Sequence, residues 1–112
     1  MAKIARVLKC DLNDLLHDID SGIRESISAS LEEMTDYDIP GGSVALRVYE
    51  RYSYMGGNRV SLTVLAVKQG DTVNVCGISS GGSQGIFFKI NTIGENSFLA
   101  KLEEVLDRYQ QI

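Results

Sequence analysis

The sequence predicts an α+β fold: a curved antiparallel sheet, in the order strand–helix–strands–helix, with both helices on one face. Three observations predict it. An apolar stripe at helical spacing follows a short first strand, period-two segments fill the middle of the chain, and a second amphipathic segment closes it. Consecutive strands joined by tight turns make a meander, and each amphipathic helix needs an apolar surface for its stripe.

The first strand is read at Lys3–Leu8. Asp11 then stands where an N-cap belongs, with Asp14 in the first turn, where the helix dipole favours an acid. Leu12, Leu15, Leu16, Ile19, Ile23 and Ile27 recur at helical spacing and predict a helix over Leu12–Ser26. Gly22 lies beside that stripe, where a missing side chain lets the helix come close to a sheet. The period then changes. Ala29 and Leu31 alternate with Ser28, Ser30 and Glu32, so a strand starts near Ser28, and its alternation decays through the acidic Glu33–Asp38 as the frayed end of an edge strand. Ile39-Pro40-Gly41-Gly42-Ser43 is a turn.

Val44–Tyr54 is the most strand-like segment. Its even positions carry Val44, Leu46, Val48, Tyr52 and Tyr54, and its odd positions Arg47, Tyr49 and Arg51. Met55-Gly56-Gly57-Asn58 supplies residues that tolerate positive φ. In the next strand, Arg59–Gln69, Val60, Leu62, Val64 and Ala66 again fall on even positions. A three-residue loop pairing Met55 with Arg59 aligns the two apolar sets on one face, leaving Arg47, Tyr49 and Arg51 in water with Ser61 and Thr63. Gln69-Gly70-Asp71 turns into a weaker strand, Thr72–Ser80, that contains Cys76. The glycine-rich Gly81–Gly85 precedes Ile86–Ile90, and a final helix has Phe98, Leu99, Leu102, Val105, Leu106 and Tyr109 on one side.

Composition bounds the rest. At 112 residues and 12.3 kDa, 44% hydrophobic, the chain suits one domain over 1–112 with one core. No apolar run approaches the roughly 18 residues of a membrane span, and no signal-peptide core follows Met1–Lys9. Two cysteines are too few for a disulfide scaffold, so a cytoplasmic location is expected. A net charge of −4 and a pI near 4.9 disfavour nucleic acid as a partner.

The order of elements is similar to helix-grip and TATA-binding-protein-like architectures, an analogy that carries no function. Two motifs point further: Arg47-Val48-Tyr49-Glu50-Arg51-Tyr52-Ser53-Tyr54 followed by Gly56–Leu62, and Ser80-Gly81-Gly82-Ser83-Gln84 with Phe87–Thr92. With Ser26–Leu31 they resemble, over nearly the whole chain, a family of small bacterial proteins of unknown function found mainly in Gram-positive anaerobes and bacilli. The resemblance implies a cytosolic bacterial protein and supplies no catalytic residue.

Candidate sites follow from residue chemistry. Arg47, Tyr49, Arg51 and Arg59 concentrate cationic and aromatic groups in an acidic chain, and such groups suit anionic or planar partners. The plainer reading is a solvated face on which arginine stems cover tyrosine rings. The Gly81–Gly85 loop offers backbone N–H groups, with Ser83 and Gln84 as side-chain donors, but it lacks the Lys-Ser/Thr ending of a phosphate loop. Cys10 lies near a helix N-terminus, where a thiol pKa can fall, yet Asp11 beside it opposes that. His17 lies off the apolar stripe, and nothing in the spacing pairs it with a cysteine. A single histidine and no C-x-x-C pair argue against a metal site.

These readings favour a non-catalytic binding or interaction domain, without cofactor. Its sheet face would take an anionic small molecule, a peptide or a second copy in a homodimer. The alternative is a small enzyme or ligand-handling protein whose pocket lies between the sheet and the C-terminal helix, lined by Cys76, Ser83 and Gln84.

Overall fold

A computed structural model describes residues 2–26, 28–53, 58–81 and 98–112. Strand β1 (Ala2–Lys9) leads into helix α1 (Leu12–Arg24), followed by β2 (Ser30–Ile39), β3 (Gly42–Ser53), β4 (Asn58–Gln69) and β5 (Thr72–Gly81). Residues 98–106 form helix α2, and Gln110–Gln111 form a short strand, β6. The strands make one curved antiparallel sheet in the order β2-β3-β4-β5-β1-β6. Among the described residues it does not close, because β2 and β6 lie at opposite edges.

The α+β architecture agrees with the sequence, and so do most element boundaries. Asp11 caps α1 through its carboxylate, which accepts from the Asp14 N–H at 3.0 Å. Each tight hairpin has its glycine at the position its turn demands. Gly41, second of the two residues joining β2 to β3, takes φ +78° behind Pro40, the type II pattern. Gly70, first of the two between β4 and β5, takes φ +62°, as a type II′ turn requires.

Both helices lie on one side of the sheet. Leu15, Ile19 and Ile23 of α1 and Phe98, Leu102, Val105 and Leu106 of α2 are fully buried against Leu8, Val60, Leu62, Val64, Ala66 and Val73. Two glycines set how closely α2 sits. A Cβ on Gly77 of β5 would lie 2.2 Å from Leu102 Cδ2, and one on Gly22 would lie 2.5 Å from Val105 Cγ2. Gly22 therefore admits α2, not the sheet that the sequence suggested.

Other expectations need correction. The acidic half of β2 is a regular edge strand paired with β3 as far as Ile39↔Gly42, with a bulge between Leu31 and Glu33. The chain does not end in a helix reaching Tyr109: α2 stops at 106, and β6 pairs Gln110 and Gln111 with Lys9 and Leu8. The expected Ile86–Ile90 segment and the Gly/Ser loop beyond Gly81 lie outside the described residues.

The largest correction is the register of β3 on β4. Ser53 pairs with Asn58, leaving four residues between the strands instead of the expected three. Since side chains alternate in direction, a one-residue change exchanges the faces of a whole strand. Arg47, Tyr49 and Arg51 pair with Val64, Leu62 and Val60, so they turn toward the helices. Val44, Leu46 and Val48 turn outward, beside Val67, Leu65 and Thr63. Both faces of β3 offer apolar surface, so alternation does not choose between them. An aromatic side chain hides roughly 150–250 Å², more than a valine offers, which favours Tyr49 inside.

Candidate functional site

The helix-covered face uses the residues expected to bind a ligand. Tyr49 has no exposed surface, and its hydroxyl donates to Asp20 Oδ1 of α1 at 2.9 Å. Asp20 also holds Arg24 one helical turn on, at 2.8 Å. Burial, reinforced by the Asp20 carboxylate, raises the Tyr49 pKa far above its usual range. Arg51 lies with its guanidinium carbon 4.8 Å from the Phe98 ring centroid, and it donates to Ser26 Oγ at 3.2 Å. Burial lowers its pKa. Arg47 donates to Asp36 Oδ1 of β2 at 2.8 Å.

These contacts tie α1, β2 and α2 to β3. The expected exposed cluster of Arg47, Tyr49 and Arg51 is absent, because a four-residue connection puts all three under the helix layer. Arg59 is separated from them on the opposite face, where its guanidinium pairs with Glu50 at 3.0 Å. Ser83 and Gln84 lie outside the described residues.

The two cysteines part company as well. Cys76 pairs with Leu65 of β4 and Ala5 of β1 and faces away from the helices, so it cannot line a pocket beneath the C-terminal helix. A groove of about 550 Å³ does run beside α2, but it follows β1, bounded by Lys3–Arg6 and by Leu99, Ala100 and Glu103. Cys10, at the β1–α1 junction, has its thiol pKa raised, chiefly by burial and further by Asp11 and Asp14; Lys68 opposes this. His17 is exposed on α1, across the sheet from Cys76. Among the described residues no group of three or more histidine, cysteine or acidic side chains is placed to hold a metal ion, and no helix is long and apolar enough to cross a membrane.

The outward face carries the unassigned surface. Val44, Leu46 and Val48 of β3, Leu65 and Val67 of β4, Cys76 and Ile78 of β5, and Ala5 and Val7 of β1 lie on it. Leu65, Val7 and Ile78 keep 40%, 38% and 37% of their surface exposed, so no described element closes over them. Charges stand at the two ends of the strands: Glu50–Arg59 at one and Lys9–Asp71, 3.7 Å apart, at the other. Toward β1 the face dips into a concavity of about 540 Å³, lined by Ala5, Val7, Leu65, Val67, Asn74 and Cys76 and bordered by Gln111 of β6. The β6 segment is anchored on both sides: the Tyr109 hydroxyl donates to Asp18 of α1, and the Ile112 N–H donates to the Val7 carbonyl at 2.9 Å. Alternation along β4 and β5 contained this face, but the β3 register had to be known to see how wide it is.

Among the described residues the class is thus an open antiparallel sheet, roofed by helices on one side and apolar and uncovered on the other. Residues 1–110 match the family described as Family of unknown function (DUF6054), and the chain belongs to that family. No curated protein and no solved structure matches the chain.

Proposed function

We propose that this chain is a non-catalytic interaction domain that self-associates through its outward sheet face, forming a homodimer of two sheets packed face to face. The observation that carries the reading is the apolar surface running unbroken from β3 to β1, with Leu65 at its centre 40% exposed. Isolated surface hydrophobes are ordinary, but a contiguous apolar patch rimmed by charges marks an interaction site. Strands about 4.8 Å apart and some eight residues long give β3, β4, β5 and β1 a face on the order of 500 Å² in projection, and more once the relief of the side chains is counted. A stable dimer buries about 800 Å² of accessible surface per partner, so the face is of the right size. Apolar sheet faces pack about 10 Å apart with interdigitated side chains.

The surface argues for this partner over an anionic one. Its centre is uncharged, and two of the three cations at its border, Arg59 and Lys9, already face Glu50 and Asp71, while Lys3 lies at the Ile78 end. A cytoplasmic location belongs to the same proposal, supported by two cysteines that are both free thiols.

Sedimentation equilibrium tests the reading. The wild type is expected at twice the 12.3 kDa chain mass. Leu65→Glu and Val48→Glu should each sediment as monomers while keeping a melting temperature near that of the wild-type monomer. A wild type that stays monomeric at the highest concentrations reached, or glutamate variants that still dimerise, would overturn it.

A further inference from the structure

The same face holds a second feature, the concavity between β4, β5 and β1. We infer that it is a binding site for a small, uncharged, largely apolar molecule carrying one hydrogen-bonding group. The inference rests on the outward face being the binding surface of the protein; it does not require that two copies meet there.

Three observations support it. The volume of about 540 Å³ falls within the roughly 300–1,000 Å³ typical of small-molecule sites. Its floor is the methyl-rich surface of Val7, Leu65 and Val67, and Asn74 is the polar side chain on the outward face of β5 within it. Lastly, the sheet continues past it: β6 is held on the edge of β1 by the Tyr109–Asp18 and Ile112–Val7 bonds, and Gln111 borders the concavity there.

Charge complementarity selects the ligand class. Arg6, though part of the lining, belongs to the helix-facing side of β1, and its guanidinium is 2.9 Å from Glu103 of α2. The outward cations of β1, Lys3 and Lys9, each stand two residues beyond the lining, Lys3 across from Ile78 and Lys9 committed to Asp71 at 3.7 Å. An ionised ligand would shed its water here and meet no opposite charge among the described lining residues, which is costly. An apolar ligand with a single N–H, hydroxyl or carbonyl would cover the methyl groups and satisfy Asn74.

Cys76 lines the concavity and so reports its occupancy. In a Cys10→Ser variant, Cys76 is the sole thiol, and its reaction with a neutral disulfide reagent can be timed. The probe is N-phenyl-1-naphthylamine, uncharged, with one N–H and a fluorescence that rises in apolar surroundings. It is expected to bind saturably at one site per chain. At ten times its Kd it should slow the Cys76 reaction about tenfold, by mass action. The anionic 8-anilinonaphthalene-1-sulfonate should bind at least tenfold more weakly. Asn74→Ala should weaken the neutral dye, and Val67→Trp, which fills the floor from the outward face, should abolish its binding.

Non-saturable binding, or saturation that leaves the Cys76 rate unchanged, overturns the inference, as does stronger binding of the anionic dye. The same titration in Val48→Glu, which lies off the concavity, separates the two ideas. Binding retained there supports the ligand site whatever sedimentation shows, and binding lost there with the fold intact counts against it.

Discussion

On one side of β4, Leu62, Val64 and Ala66 are wholly closed off from water, whereas their chain neighbours Leu65 and Val67 on the other side meet no helix among the described residues. The two sides are built from similar residue types, so composition does not explain their different fates. What separates them is the company each keeps. The inner side also carries Tyr49, Arg51 and Arg47, which reach polar groups on α1, β2 and the α1–β2 connection. Polar side chains placed among apolar ones are tolerated when each finds a partner, and they fix the seating of the helices. The outer side has few such anchors and stays open. The lesson is that Arg47, Tyr49 and Arg51 of β3 bind the protein to itself, while its aliphatic residues Val44, Leu46 and Val48 face the other way.

The contrast can be broken most directly by truncation. Leu62→Ala should cost about 2–5 kcal/mol, the range for an enclosed leucine, while Leu65→Ala in a monomeric background should cost under about 1 kcal/mol. Equal losses by denaturant unfolding would mean that the outer face is also core. Gly77→Ala comes next: its new methyl meets Leu102, so about 1–3 kcal/mol should be lost, read as a fall in melting temperature, and Cys76→Ser one residue away should change little.

Charge reversal sharpens the comparison further. Arg47→Glu with Arg51→Glu should destabilise by about 2 kcal/mol, since a glutamate beside Asp36 repels and the stack on Phe98 is lost. Arg59→Glu, equally drastic in charge but outward, should leave the melting temperature within a few degrees. If the inner pair is as neutral as Arg59, the sheet face has been assigned the wrong way round.

The smallest effect concerns pH. Tyr49 in the fold titrates well above its ordinary value near 10, because burial and Asp20 disfavour the phenolate. Above that ordinary value the unfolded chain has lost this proton while the folded chain keeps it. Stability should therefore be fully present below about pH 10 and decline as pH rises beyond it. Tyr49→Phe should cost about 1 kcal/mol at neutral pH and flatten the alkaline decline. Tyr109, raised in the same direction by burial and Asp18, leaves a residual slope.

Much of this was legible in the residues. Asp11 caps α1 as its position implied, the apolar stripes of both helices became core, and Pro40-Gly41 and Gly70-Asp71 turn where turn chemistry puts them. Local rules suffice for such features. The parity of β3 was not legible, because a valine face and a tyrosine–arginine face both pack acceptably, and the choice between three and four connecting residues is made by distant contacts such as Tyr49–Asp20. Nor was β6 legible: two glutamines carry no periodicity, and their strand exists only because β1 offers an edge. The candidate site inherited the parity error, so three of the four residues expected in water on the hairpin lie on its helix-covered side.

The bare backbone at Gly22 and at Gly77 has a mechanical consequence. The side chains that fill the two notches, Val105 and Leu102, are three residues apart and so ride on one flank of α2. A methyl added in either notch displaces the side chain seated there, and whatever part of that displacement α2 takes up is passed to the other side chain in its own notch. Helix α1 and strand β5 are thereby geared together through an intermediate shaft. Hydrogen exchange at β5 should rise when only position 22 of α1 is enlarged.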